Sequence, residues 1–119
     1  MYSSLKSVID WTAAEFAMPV STYPQAGVPR PFAVVNRVGG TCEYPHDYPR
    51  YAIQFWMGSD AEGEAIAFEC ARKLPALMAD ERINAVGAAE LTQLGYIDDG
   101  GGFVWQVAFD LATNIYTTN

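Results

Sequence analysis

Histidine, cysteine and positive charge are all scarce in this sequence, and each scarcity removes a class of function. One histidine, His46, and two cysteines, Cys42 and Cys70, are spread over 119 residues. They form no CxxC pair and match no zinc-ligand spacing, so no metal site is expected. Seven Lys and Arg stand against fourteen Asp and Glu, a net charge of −7. Gripping a phosphate backbone depends on Lys and Arg displacing counterions, so nucleic acid is not an expected ligand. Gly39-Gly40 and Gly100-Gly101-Gly102 lack the lysine and the strand-to-helix setting of a phosphate loop. Asp98-Asp99 lacks the remaining ligands of a calcium loop. No cofactor is therefore expected. No run approaches the roughly 18 apolar residues that cross a bilayer. The opening Met1-Tyr2-Ser3-Ser4-Leu5-Lys6 has no apolar signal core. The expectation is a protein without a membrane partner, its thiols reduced, made and used inside a cell unless carried out within a particle.

What is present is apolar: 50% of the residues are hydrophobic, enough for a packed core, and the length suits one domain. The densest stretch spans residues 31–57. Phe32-Ala33-Val34-Val35-Asn36-Arg37-Val38 and Tyr51-Ala52-Ile53-Gln54-Phe55-Trp56-Met57 are rich in β-branched and aromatic residues, which suit a pleated surface. Between them, residues 39–50 carry the Gly, Pro and Asp of a loop, longer than the roughly 2–5 residues a hairpin needs. This stretch predicts a central hairpin whose long loop is the working surface.

Around it, the three- and four-residue spacing of Leu5, Val8, Ile9, Thr12, Ala13 and Phe16 predicts a helix over 5–16, capped by Ser3 or Ser4. Trp11 borders its apolar stripe and reads better as a packed ring than as a contact. Pro19 ends this region. Residues 20–23 suit a short strand, and the prolines of 24–31 a loop. Ser59 and Glu62 have capping-box spacing and open a second helix with Ile66, Cys70, Leu74 and Leu77 along one stripe, widened by Ala61, Ala65 and Phe68. Pro75 ends or kinks it. Residues 80–84 are a turn, 85–94 a strand whose alanines leave helix open, and 98–102 a glycine-rich hairpin turn. The last run alternates cleanly: Phe103, Trp105, Val107, Phe109 and Leu111 form one face, expected against the helices, and the run extends through Ile115 and Tyr116. The expected fold is a single α+β domain, a largely antiparallel sheet of about four to five strands with two helices packed on one face. Both sheet faces are apolar enough that the second is expected to meet something outside the monomer.

Catalytic chemistry has little to stand on. Cys42 with His46 is the one nucleophile–base pair, but no third group orients it and the two lie close together in a loop. An enzyme is not expected. The remaining signal is charge: Arg30, Arg37 and Arg50 flank the central loop, and Glu43 and Asp47 lie within it. Guanidinium groups bind carboxylates in a two-pronged geometry suited to a contact between identical subunits.

Three stretches together carry a resemblance. They are Val34-Val35-Asn36-Arg37-Val38-Gly39-Gly40, then Asp47-Tyr48-Pro49-Arg50-Tyr51-Ala52-Ile53-Gln54-Phe55-Trp56, then Ser59-Asp60-Ala61 opening an alanine-rich helix. In order, length and composition the chain resembles the tail terminator proteins of long-tailed bacteriophages and prophages, also called tail-completion or minor tail proteins. The resemblance implies a small fold of helices on a sheet. It implies a virion protein of the tail or neck, assembled in the bacterial cytoplasm. It further implies a homohexameric ring on the head-proximal end of the tail tube. Its partners would be the tail tube protein and a head-completion or stopper protein, with DNA passing through the ring without specific binding. Arg37, Gly39, Gly40, Asp47, Pro49 and Arg50, with Arg30 beside them, are then the expected subunit or tube contacts. A head-side stopper is the nearest alternative, and a cytosolic thiol enzyme or a small-ligand binder built around Trp11, Trp56 and Trp105 lies further off.

Overall fold

The first helix, α1 (Ser4–Phe16), begins where Ser3 accepts a hydrogen bond from the Lys6 N–H at 3.2 Å and ends at Ala17, whose φ of 49° is left-handed. Val8 and Thr12 are buried against the sheet, Leu5, Ile9 and Phe16 partly so. Pro19 then releases a two-residue strand, β1 (Val20–Ser21). The computed structural model describes residues 1–25, 27–97 and 102–116.

Two long strands follow, β2 (Phe32–Glu43) and β3 (His46–Met57), joined at Tyr44-Pro45. The loop expected over 39–50 is therefore mostly ladder: Gly39 pairs with Arg50, Gly40 with Pro49, Cys42 with Asp47 and Glu43 with His46. Each residue read as a turn marker has a use inside the ladder. Val38 is an extra, bulged residue, because the register shifts between Arg37 and Gly39. Gly40 has φ 106°, and a Cβ there would overlap the Tyr48 carbonyl oxygen. Pro49, lacking an N–H, lies opposite that glycine.

The second helix, α2 (Asp60–Lys73), is capped by the Ser59 hydroxyl, which accepts from the Glu62 N–H at 3.2 Å. Asp60 and Glu62 sit in its first turn and Arg72 and Lys73 in its last, each sign at the favourable end of the dipole. Its buried stripe is Gly63, Ala67 and Cys70, continued by Leu74 and Leu77 of a 3-10 helix (Leu74–Ala79). Ala61, Ala65 and Phe68, expected to widen the stripe, face solvent instead, with Phe68 59% exposed. The cause is Gly63: a Cβ there would overlap the Trp105 ring, so the glycine seats the helix on that ring and turns Phe68 outward.

The segment read as one strand over 85–94 is two. β4 (Ile83–Val86) and β5 (Glu90–Ile97) pair with successive parts of β6 (Gly102–Asn114), which stops before Ile115 and Tyr116. Between them Gly87 donates to the Asp110 carbonyl at 2.8 Å. The turn expected over 98–102 lies outside the described residues except for Gly102. The result is a six-stranded sheet, β1-β2-β3-β6 with β4 and β5 along the far side of β6, one or two strands more than expected. Only β1–β2 is parallel. Both helices pack on one face, over Ala33, Val35, Ile53, Phe55, Val107, Phe109 and Leu111. On the other face Phe32 stacks on Trp56 at 5.2 Å beside Val34 and Val104, and this patch is covered by the chain itself, through Val28 and Arg30. The rest of that face carries Ala52, Gln54, Gln106 and Ala108. None of the described helices is long and apolar enough to cross a membrane.

Candidate functional site

The outer half of the hairpin, residues 37–50, gathers six of the seven residues singled out from sequence. Arg37 reaches across to Asp47 in a two-pronged pair, Nη1 to Oδ2 at 2.7 Å and Nη2 to Oδ1 at 2.9 Å, and its Nε donates to the Gly39 carbonyl at 3.1 Å. Asp47 is 5% exposed and Pro49 is buried. Hydrogen bonding to Asp47 holds the Arg37 guanidinium above its ordinary pKa, against the opposing effect of burial. Next along the same face Tyr51 is buried, its hydroxyl 2.6 Å from Ser4 Oγ on α1. Burial raises its pKa, although the Ser4 hydrogen bond acts the other way.

Arg50 belongs to the opposite face of the sheet, because successive residues of a strand alternate. It donates to Asp110 on β6 at 3.3 Å and to Glu90 on β5 at 2.9 Å, so one side chain spans three strands. Both arginines thus meet acids of their own chain. Neither Asp110 nor Glu90 was singled out from sequence; they become partners only through the β3–β6–β5 order. Arg30 does not join the group. It lies over Trp56 at 5.8 Å, at the far end of β3, about 30 Å from Asp47 at the usual rise per residue.

The alternatives read from sequence meet a definite geometry. Cys42 is opposite Asp47 and His46 opposite Glu43, so thiol and imidazole project from opposite faces of the hairpin and cannot form a nucleophile–base pair. Cys42 is exposed; Cys70 is buried, and that burial pushes its thiol up to about 12. Among the described residues no three His, Cys, Asp or Glu side chains come together to hold a metal. The tryptophans do not converge. Trp11 and Trp105 pack with the helices, Trp105 Nε1 donating to Asp60 at 3.1 Å, whereas Trp56 faces the other way.

Two features had no sequence signal. The outer side of β2 meets no described strand beyond Val34, and β4 and β5 pair with no described strand but β6, so among the described residues the sheet has open edges on opposite sides. Each edge carries a bulged, exposed apolar residue: Val38, 54% exposed, and Leu94, 37% exposed. Tyr44, at the hairpin turn, and Tyr48, opposite Thr41 on β3, are exposed as well. Every Lys and Arg, in contrast, is engaged within the chain. Besides the pairs above, Lys6 meets Asp10, Arg72 meets Glu69, Lys73 meets Glu15, and Arg82 donates to the Tyr116 carbonyl. No model of a known protein family matches the chain, and no curated protein is similar to it.

Proposed function

We propose that the protein is a phage tail terminator, a structural subunit that closes into a ring on the tail tube, stops its growth and offers a surface to the head. The observation that carries this reading is the pair of unlike open edges. A ring requires a heterologous contact, one patch of the subunit against a different patch of its neighbour. An unpaired strand edge is a template for another strand, and this sheet presents β2 on one side and β5 on the other. Residues 37–50 then act at the subunit contact by shaping the β2 edge, with Arg37 and Asp47 bracing it from the helix side.

The face without helices suits the channel. Its centre is small and neutral, with Gln54 opposite Gln106 and Ala52 opposite Ala108, and Arg50 there is covered by Asp110 and Glu90. With a net charge of −7 and every cation engaged, such a surface repels a phosphate backbone instead of holding it.

Electron microscopy of particles made when the gene is deleted from its phage or prophage tests the reading. Overlong, irregular tail tubes beside tailless filled heads are the expected result. Tails of normal length beside leaky heads would transfer the protein to the head-side stopper, and intact infectious particles would overturn the proposal.

A further inference from the structure

Between α1 and the 3-10 helix lies a cleft of about 260 Å³. Trp11, Leu77 and Ile83 give it apolar walls, and Ser7, Asp10 and Asp80 give it polar ones. It is smaller than the roughly 300–1,000 Å³ of ordinary ligand pockets, so it suits a single long side chain better than a cofactor. The two carboxylates are differently placed. Asp80 is fixed: its oxygens accept from Tyr2 Oη at 3.0 Å, Ser7 Oγ at 3.1 Å and the Arg82 N–H at 3.0 Å. A carboxylate has about four acceptor positions, so this one still has capacity. Burial pushes Asp80 upward, but those hydrogen bonds prevail and hold it below its ordinary pKa, so it stays ionised. The Arg82 guanidinium is turned to the Tyr116 carbonyl and the Tyr2 ring. Asp10 meets only Lys6, in an exposed i,i+4 pair that a better-placed cation displaces at little cost.

We infer that this cleft docks an arginine side chain of a different, basic protein. The aliphatic stem would lie along Leu77, Ile83 and the Trp11 ring, and the guanidinium would fork between Asp10 and Asp80. The charge inventory selects the source. A second copy of this chain brings the same net charge of −7 and could offer a cation only by giving up a contact within itself, whereas a basic protein brings cations in excess. The cleft is built from α1, the 3-10 helix and the start of β4, and includes none of residues 37–50.

The test is NMR titration of the isolated protein with Nα-acetyl-arginine methylamide, with Nα-acetyl-norleucine methylamide as an uncharged probe of similar stem. The three indole N–H signals of Trp11, Trp56 and Trp105 report where each binds. The expected result is a saturable shift of Trp11 alone, with the arginine probe about tenfold tighter, as a charge-assisted hydrogen-bonded pair supplies. Asp10→Asn should weaken it severalfold, and Ala76→Leu, which narrows the cleft from an exposed position, should abolish it. Equal binding of both probes, shifts shared by all three indoles, or no saturable shift at millimolar probe would each overturn the inference.

Discussion

Gly39 and Gly40 are neighbours in one strand, yet alanine should act on them in opposite directions. At Gly39 the backbone is not in the left-handed region and an added Cβ meets nothing within 4 Å. Gly39→Ala should therefore be neutral or stabilising by about 0.4–1 kcal/mol, through the lower entropy of the unfolded chain. At Gly40 the φ of 106° is strained for any L side chain, at about 1–3 kcal/mol. The Cβ would also overlap the Tyr48 carbonyl oxygen and lie 2.7 Å from Pro49 Cα, and these are backbone atoms that cannot swing aside. Overpacking of this kind adds about 1–3 kcal/mol. Gly40→Ala should thus cost about 2–6 kcal/mol, a large part of the roughly 5–15 kcal/mol that holds a domain folded. Urea denaturation of both variants measures the difference, and hydrogen exchange should show the Gly40→Ala loss concentrated in residues 38–50. Midpoints that agree to within about 0.5 kcal/mol would refute the argument that Gly40 is the pivot of the hairpin.

A double-mutant cycle on Arg37 and Asp47 should give a coupling of about 1–2 kcal/mol, below a fully buried pair because Arg37 is 38% exposed, whereas Arg50→Ala, with its exposed acids, should cost no more than about 1 kcal/mol. A thiol reagent should label Cys42 at once in the native protein and Cys70 only on unfolding, and equal rates would contradict the burial of Cys70. The protein should lose stability in alkali. Cys70 rises from 9.0 to about 12 and Tyr2 from 10.0 to about 12, and Tyr51 is raised as well, so the unfolded chain gives up these protons first. Their stabilising effect is complete below pH 9 and falls away between pH 9 and 12, which urea midpoints against pH should show, with Cys70→Ala flattening the onset.

The elements legible in the sequence were those whose signal is local and periodic. Ser3 and Ser59 announce both helix starts, and the alternation after Gly102 names Trp105, Val107, Phe109 and Leu111 on the helix side of β6, though not the burial of Val104 and Ala108 on the other. Misreadings arose where a residue with a strong local preference answered to a neighbour distant in sequence. Gly40, Asp47 and Pro49 read as a loop because nothing in the sequence places Gly40 against Pro49 or Asp47 against Arg37. Phe68 read as part of the α2 stripe because nothing local shows that Gly63 seats the helix on the Trp105 ring, 42 residues later in the chain (105 − 63 = 42). The candidate residues were legible as a group, but not their partners, since Glu90 and Asp110 meet Arg50 through strand order alone.

Those partners change where a subunit contact can arise. If neighbouring subunits met through Arg37, Asp47 would be left at 5% exposure without its cation, and the roughly 1–2 kcal/mol of that pair would be lost. Pairing through Arg50 would likewise compete with Asp110 and Glu90 at no gain in charge. Contact through the strand edges disturbs neither pair, because it uses N–H and C=O groups that β2 beyond Val34 and the outer side of β5 have free of any described strand. The bulges at Val38 and Leu94 then have a role in the proposed ring. A bulged edge twists away from casual pairing, so free subunits resist open-ended association. Once a tube end holds several subunits in register, the loss of freedom on pairing is already met and the same edges can close. The expected consequence is that charge reversal at Arg50 acts mildly and deletion of Val38, which removes the bulge, acts strongly: it should drive the isolated protein to associate, as read by analytical ultracentrifugation. Sedimentation of the Val38 deletion unchanged from that of the parent protein would return the contact to side chains.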